Sequence, residues 1–132
     1  MSQLNDDEGI STIESVEPVN QFFEEETIPL RATQRRASSI TNLATFIEQE
    51  IDHNHDLWVE YHAHEIHADD QFNGAYLHDG LIEGIDVASG LCTVIDPVPE
   101  HRQRFSISLD VLARSISDKH GRETGFLIVQ QP

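Results

Sequence analysis

The apolar positions of this chain change period several times, and each change marks an element. Ile40, Leu43, Ala44, Ile47 and Ile51 recur at three- and four-residue steps, which predicts one amphipathic helix over Ser39–Asp52 with Ser38 or Ser39 as its N-cap. From Leu57 to Glu65 the period drops to two: Leu57, Val59, Tyr61 and Ala63 share one face, and Trp58, Glu60, His62 and His64 the other. His67–Gly74 is polar and reads as a loop. Ala75–Asp86 and Leu91–Ile95 are strand-like and joined by a hairpin turn at Ala88-Ser89-Gly90, with Gly80 and Gly84 marking bends or bulges. Asp96-Pro97-Val98-Pro99-Glu100 is a rigid turn. Arg104–Leu109 alternates again and runs into a short helix, Leu109–Lys119, capped by Ser108. Phe126–Val129 is the last strand.

The first 37 residues show no sustained period. They are expected to form a disordered acidic arm, with residues 38–132 as the folded domain. Phe22-Phe23, followed by Glu24–Glu26, interrupts the polarity of that arm. An aromatic pair beside an acid run suits either docking in an apolar groove rimmed by basic residues or packing back on its own domain. Arg35-Arg36-Ala37-Ser38 has the arginine spacing of a basophilic kinase site, and the same arginines also serve to neutralise nearby acids.

Charge sharpens this picture. The 132 residues carry 24 acidic and 8 basic side chains, a formal net charge of −16. Eight of the acids precede residue 31, where no Lys or Arg occurs. Such a balance opposes direct contact with nucleic acid or an anionic membrane, since it works against counterion release. It favours solubility and a basic protein partner. Cys92 is the single cysteine, so no intrachain disulfide forms, and its place inside a strand predicts a buried inert thiol. With no apolar run of spanning length and no basic-plus-apolar leader, the expected compartment is the reducing cytoplasm.

The order of a helix, five strands and a short helix before the last strand resembles that of Sm-like and SH3-like small barrels. The segments carrying the likeness are Asp79–Asp86, Ser89–Ile95 and Phe105–Leu112. The resemblance implies a mainly β, α+β fold: an N-terminal helix followed by a five-stranded, strongly bent barrel. Within that class an acidic barrel is similar to Rof-type inhibitors of the Rho terminator, which cover an RNA-binding surface. The chain departs from the pattern in its long Pro97–Pro99 turn and in lacking the polar nucleotide-binding signature of RNA-binding Sm proteins.

Candidate chemistry precedes the barrel. His62 and His64, on one face of the predicted strand with Glu60 beside them, have the spacing to chelate one divalent metal. A His-x-His strand is similar to the first element of the cupin metal motif, although Asp69 stands where the spacing to the cupin Glu is not met. In an acidic protein the same histidines also suit a pH-sensitive patch. Gly-rich phosphate loops, Gly-x-Ser-x-Gly elbows and His-Glu-x-x-His patterns are absent from the sequence, so no catalytic residue and no cofactor is expected. The leading expectation is a non-enzymatic inhibitor or regulator whose carboxylates stand in for phosphates on a basic partner, in the manner of phage and plasmid anti-defence proteins. Glu48, Glu50, Asp52, Asp56 and Glu60, with Asp69 and Asp70, are the residues expected to carry it. The alternatives are a metal-binding barrel built on His62 and His64, and a scaffold subunit docked through Phe22 and Phe23.

Overall fold

The computed structural model describes residues 14–66, 77–97, 104–116 and 124–132. Helix α1 spans Val16–Glu25, with Pro18 in the first turn, where a helix does not need its missing N–H. Strand β1 (Arg31–Arg36) leads through a 3-10 turn at Ala37–Ser39 into α2 (Leu43–Asp52). Then follow β2 (Asp56–His62), α3 (Ala63–Ile66), β3 (Leu77–Asp86), β4 (Leu91–Ile95), β5 (Arg104–Ser108), α4 (Leu109–Ser115) and β6 (Gly125–Gln130). The six strands form one antiparallel sheet in the order β1-β6-β2-β3-β4-β5.

The mixed α+β class holds, and the elements expected from α2 to β6 occur in the expected order, with α3 added between β2 and β3. The five-stranded barrel does not hold: there are six strands, and among the described residues the sheet is not closed. The extra strand explains why. β1 pairs along β6 from Arg31↔Gln130 to Arg36↔Gly125, and β2 pairs on the other side of β6. Both edges of β6 are thereby taken, which leaves none for β5 to close against.

Residues 16–36 are therefore not an unstructured arm. β1 escaped the hydrophobic pattern because Ala32 is its one buried side chain; backbone hydrogen bonds to β6 hold the rest. The approach is close at Gly125, where an added Cβ would lie 2.4 Å from the Arg35 carbonyl oxygen. Residues 1–13 lie outside the described residues.

Two helix boundaries shift for identifiable reasons. Ser39 does not cap α2, because its hydroxyl donates to Arg36 O at 2.7 Å and accepts from Arg35 Nε at 2.8 Å. The cap is Asn42, whose Oδ1 accepts from Thr45 N at 3.0 Å. At α4 the expected cap holds: Ser108 Oγ accepts from Val111 N at 3.1 Å. α4 itself ends at Ser115, short of the expected Lys119.

The core lies on one face of the sheet, under α2, α3 and α4. Leu57, Val59 and Tyr61 of β2, Cys92 and Val94 of β4, and Phe126 of β6 meet Ile47 of α2 and Leu112 of α4, all fully buried. Each buried branched aliphatic contributes on the order of 1.5–3 kcal/mol. Phe46 and Phe126 pack ring against ring at 4.9 Å and tie α2 to the centre of the sheet. β3 and β4 shift register between Ile82 and Gly84, a bulge where the glycine pattern predicted one.

Candidate functional site

Three chain segments converge where α2 ends and β2 begins. The last turn of α2 closes through His53 N to Gln49 O at 3.1 Å and His55 N to Glu50 O at 3.1 Å. Between them Asn54 adopts φ 60°, a left-handed conformation that Asn tolerates better than most residues. This reversal sets the His53 and His55 rings against each other, with centroids 5.8 Å apart and planes 29° from parallel. The His53 Nδ1–H donates to Gln49 O at 2.6 Å, and His55 Nδ1 meets Glu50 Oε2 at 2.5 Å. Register does the rest: Asp56 opposes Val129, and Arg31 opposes Gln130. The result is a cleft of about 380 Å³ lined by Leu30, His53–Asp56, Val129, Gln130 and Gln131.

The expected acids divide around this cleft. Glu48 and Asp52 are exposed on the final turns of α2, and Asp56 is exposed on the cleft wall. Carboxylates oppose the helix dipole at that end, and His55 answers one of them by pairing with Glu50. Glu60 does not belong with them. It is 2% exposed, because β2 is buried on both faces from Val59 onward and the polar face expected to meet solvent does not. Asp69 and Asp70 lie outside the described residues. Phe22 is 52% exposed on α1, and Phe23 is half-buried, its ring 6.3 Å from that of Phe22.

The strand expected to carry both His62 and His64 stops between them. β2 ends at His62, which is buried, and the chain turns into α3 at Ala63. His64 lies in that helix, so the period-two strand spacing that predicted a shared face does not reach it. Among the described residues no three His, Cys, Asp or Glu side chains converge to hold a metal ion.

Sequence reasoning missed a polar network at the margin of the core. Tyr61 and His78 are cross-strand neighbours, their rings edge to face at 5.7 Å. The Tyr61 hydroxyl donates to Asp96 Oδ2 at 3.3 Å, and His78 Nε2 donates to Asp96 Oδ1 at 2.7 Å. The Asp96 side chain has no solvent exposure, so these donors are what make its burial tolerable. Gly80 leaves the room: a Cβ there would come within 2.7 Å of Val94 Cγ1 and 3.2 Å of the Tyr61 ring. Asp96 precedes Pro97 and carries the signature of a turn, so nothing local signals this role. Cys92 is buried as expected, and burial pushes its thiol up to about 12.

The chain matches no family model and no curated protein. No helix among the described residues is long and apolar enough to cross a membrane.

Proposed function

We propose that this chain is a non-enzymatic acidic binding module that docks on a basic surface of another protein, such as the surface a nucleic-acid-binding protein offers to phosphates. The observation that carries the reading is the exposure of Glu48 and Asp52 on the final turns of α2 and of Asp56 at the start of β2, on the wall of the cleft. They project from a helix and a strand start that the core holds rigid, so presenting them costs little ordering entropy at binding. A net charge of −16 steers such a surface toward a cationic partner. An inhibitor that occupies the partner's nucleic-acid groove is the form of this function the charge favours. The order of elements from α2 to β6 supports a likeness in chain order alone to Sm-like and SH3-like proteins.

The test is capture of partners from the native cell at low and high salt, followed by mass spectrometry. A basic, nucleic-acid-binding protein retained at low salt and lost at high salt is the expected result. Capture of the same partner at both salts, or by a Glu48→Lys/Asp52→Lys/Asp56→Lys variant as well as by the native chain, contradicts it. The exposure of Phe22 favours a second reading, docking through α1, in which Phe22→Ala rather than charge reversal releases the partner.

A further inference from the structure

Residues 27–47 hold Arg31, Arg35 and Arg36 and no Asp or Glu, so a chain of net charge −16 carries a cationic stretch. Its arginines precede two serines. Arg35 and Arg36 stand three and two residues before Ser38, and Arg36 stands three before Ser39. Spacing alone therefore leaves either hydroxyl as the acceptor for a kinase that pairs its own carboxylates with guanidinium groups. The structure separates the two. The Ser39 hydroxyl is committed on both sides, donating to Arg36 O at 2.7 Å and accepting from Arg35 Nε at 2.8 Å. Ser38 is exposed, and among the described residues no hydrogen bond holds its hydroxyl.

The backbone around Ser38 needs little change to enter a kinase cleft as an extended segment. Arg31–Arg36 is already extended as β1, an outer strand of the sheet. Arg36 (φ −74°, ψ 140°) and Ile40 (φ −98°, ψ 118°) are extended on either side of the 3-10 turn. That turn, Ala37–Ser39, closes through Ile40 N to Ala37 O at 3.1 Å, and Ala37 N donates to Thr124 O at 3.0 Å. The Arg35 guanidinium lies 5.5 Å from the centre of the Phe46 ring and must leave both that ring and Ser39 to be read. None of Ala37, Ser38 and Ser39 is buried, so the turn opens without exposing the core, as short surface segments do most readily.

We propose that Ser38 is a phosphorylation site for an arginine-directed serine/threonine protein kinase, with Mg-ATP as the phosphoryl donor. Ser38 Oγ attacks the γ-phosphorus, and the new O–P bond forms as the bond to the β–γ bridging oxygen breaks. ADP leaves, and the hydroxyl proton passes to the catalytic aspartate of the kinase. The phosphate carries about −1.5 to −2 charges at neutral pH. It offsets at least about half the charge of Arg31, Arg35 and Arg36, and it competes with Ser39 for the Arg35 guanidinium. This site does not depend on the protein-binding reading.

The experiment incubates the folded full chain with a purified arginine-directed serine/threonine kinase and Mg-ATP, and locates the phosphate by fragment mass spectrometry. A synthetic peptide of residues 31–42 serves as the unfolded comparison. Roughly one phosphoryl group per chain is expected, on Ser38. Ser38→Ala should abolish incorporation, and Ser39→Ala should preserve it at Ser38 or quicken it by releasing Arg35. Arg35→Gln/Arg36→Gln should slow it by at least about tenfold. These positions are exposed, and thermal melts confirm that the variants fold. Failure of the full chain to accept phosphate while the peptide does so overturns the proposal, because the fold then masks the motif. Failure of both overturns it as well, and so does phosphate found on Ser39, or incorporation into Ser38→Ala at the native rate.

Discussion

The side-chain amide of Asn20 pairs with the backbone of Ala32 as another strand would. Its Oδ1 accepts from Ala32 N at 2.7 Å, and its Nδ2 donates to Ala32 O at 2.9 Å. Ala32 is the one buried residue of β1, and α1 has no buried residue of its own. One amide thus covers the outer edge of the sheet where that edge is most apolar, and pins α1 there. Covering an edge in this way withholds a template for unwanted strand pairing.

Removing that amide tests the pin. Asn20→Ala frees both Ala32 groups to water and loses two hydrogen bonds, each worth about 0.5–1.5 kcal/mol. The loss is local, so hydrogen exchange across residues 16–36 should quicken while the global melting temperature moves little. Asn20→Asp should loosen α1 further at neutral pH, because a carboxylate accepts from Ala32 N but sets a second acceptor against Ala32 O.

Two glycines make a matched comparison. Gly125→Ala drives a methyl against the Arg35 carbonyl and should part β1 from β6, at about 1–3 kcal/mol as measured by urea unfolding. Gly84→Ala meets nothing within 4 Å and should be tolerated. Equal midpoints for the two variants would show that β1 does not pack as described.

Asp96 accepts from buried Tyr61 and half-buried His78, and truncating it removes both bonds. Asp96→Ala should cost about 1.5–3 kcal/mol, the range for hydrogen bonds to a charged group. Tyr61→Phe removes only the longer bond, and should cost about 1 kcal/mol. The comparison is read from denaturant midpoints at constant slope.

The raised thiol of Cys92 fixes a pH dependence. Its folded value of about 12 lies above the ordinary 9.0, so the folded state holds the proton longer than the unfolded chain does. The stabilisation is fully present below pH 9.0 and is lost progressively as pH rises from there toward about 12. Unfolding midpoints of the native chain and Cys92→Ala should converge or cross as pH rises above this lower bound. A thiol reagent at about pH 8 should leave the folded protein unmodified and label it once unfolded.

What could be read from the sequence follows from how local each signal is. Leu91–Ile95 was legible to the residue because its alternation meets one buried and one open face. The Ser108 cap and the bulge at Gly84 were legible for the same reason, being written in one or two side chains. β1 was not, since Arg31–Arg36 offers a single apolar residue and owes its place to a partner strand some hundred positions away. The polar face of β2 misled because Glu60 and His62 are buried, which no alternation reveals. The acids Glu48, Asp52 and Asp56 were singled out by charge alone. Their company with His53 and His55 needed the left-handed turn at Asn54 and the register of β2 against β6.

Exposed carboxylates on the end of α2 and the start of β2 are proposed to bind a basic protein surface. The direct measurement is the dissociation constant for the captured partner across a range of salt, for the native chain and for Glu48→Lys/Asp52→Lys/Asp56→Lys. Affinity should fall steeply with salt in the native chain, and binding should be weak with little salt dependence in the variant. Affinity that holds from low to high salt, or that survives the charge reversal, would contradict the proposal.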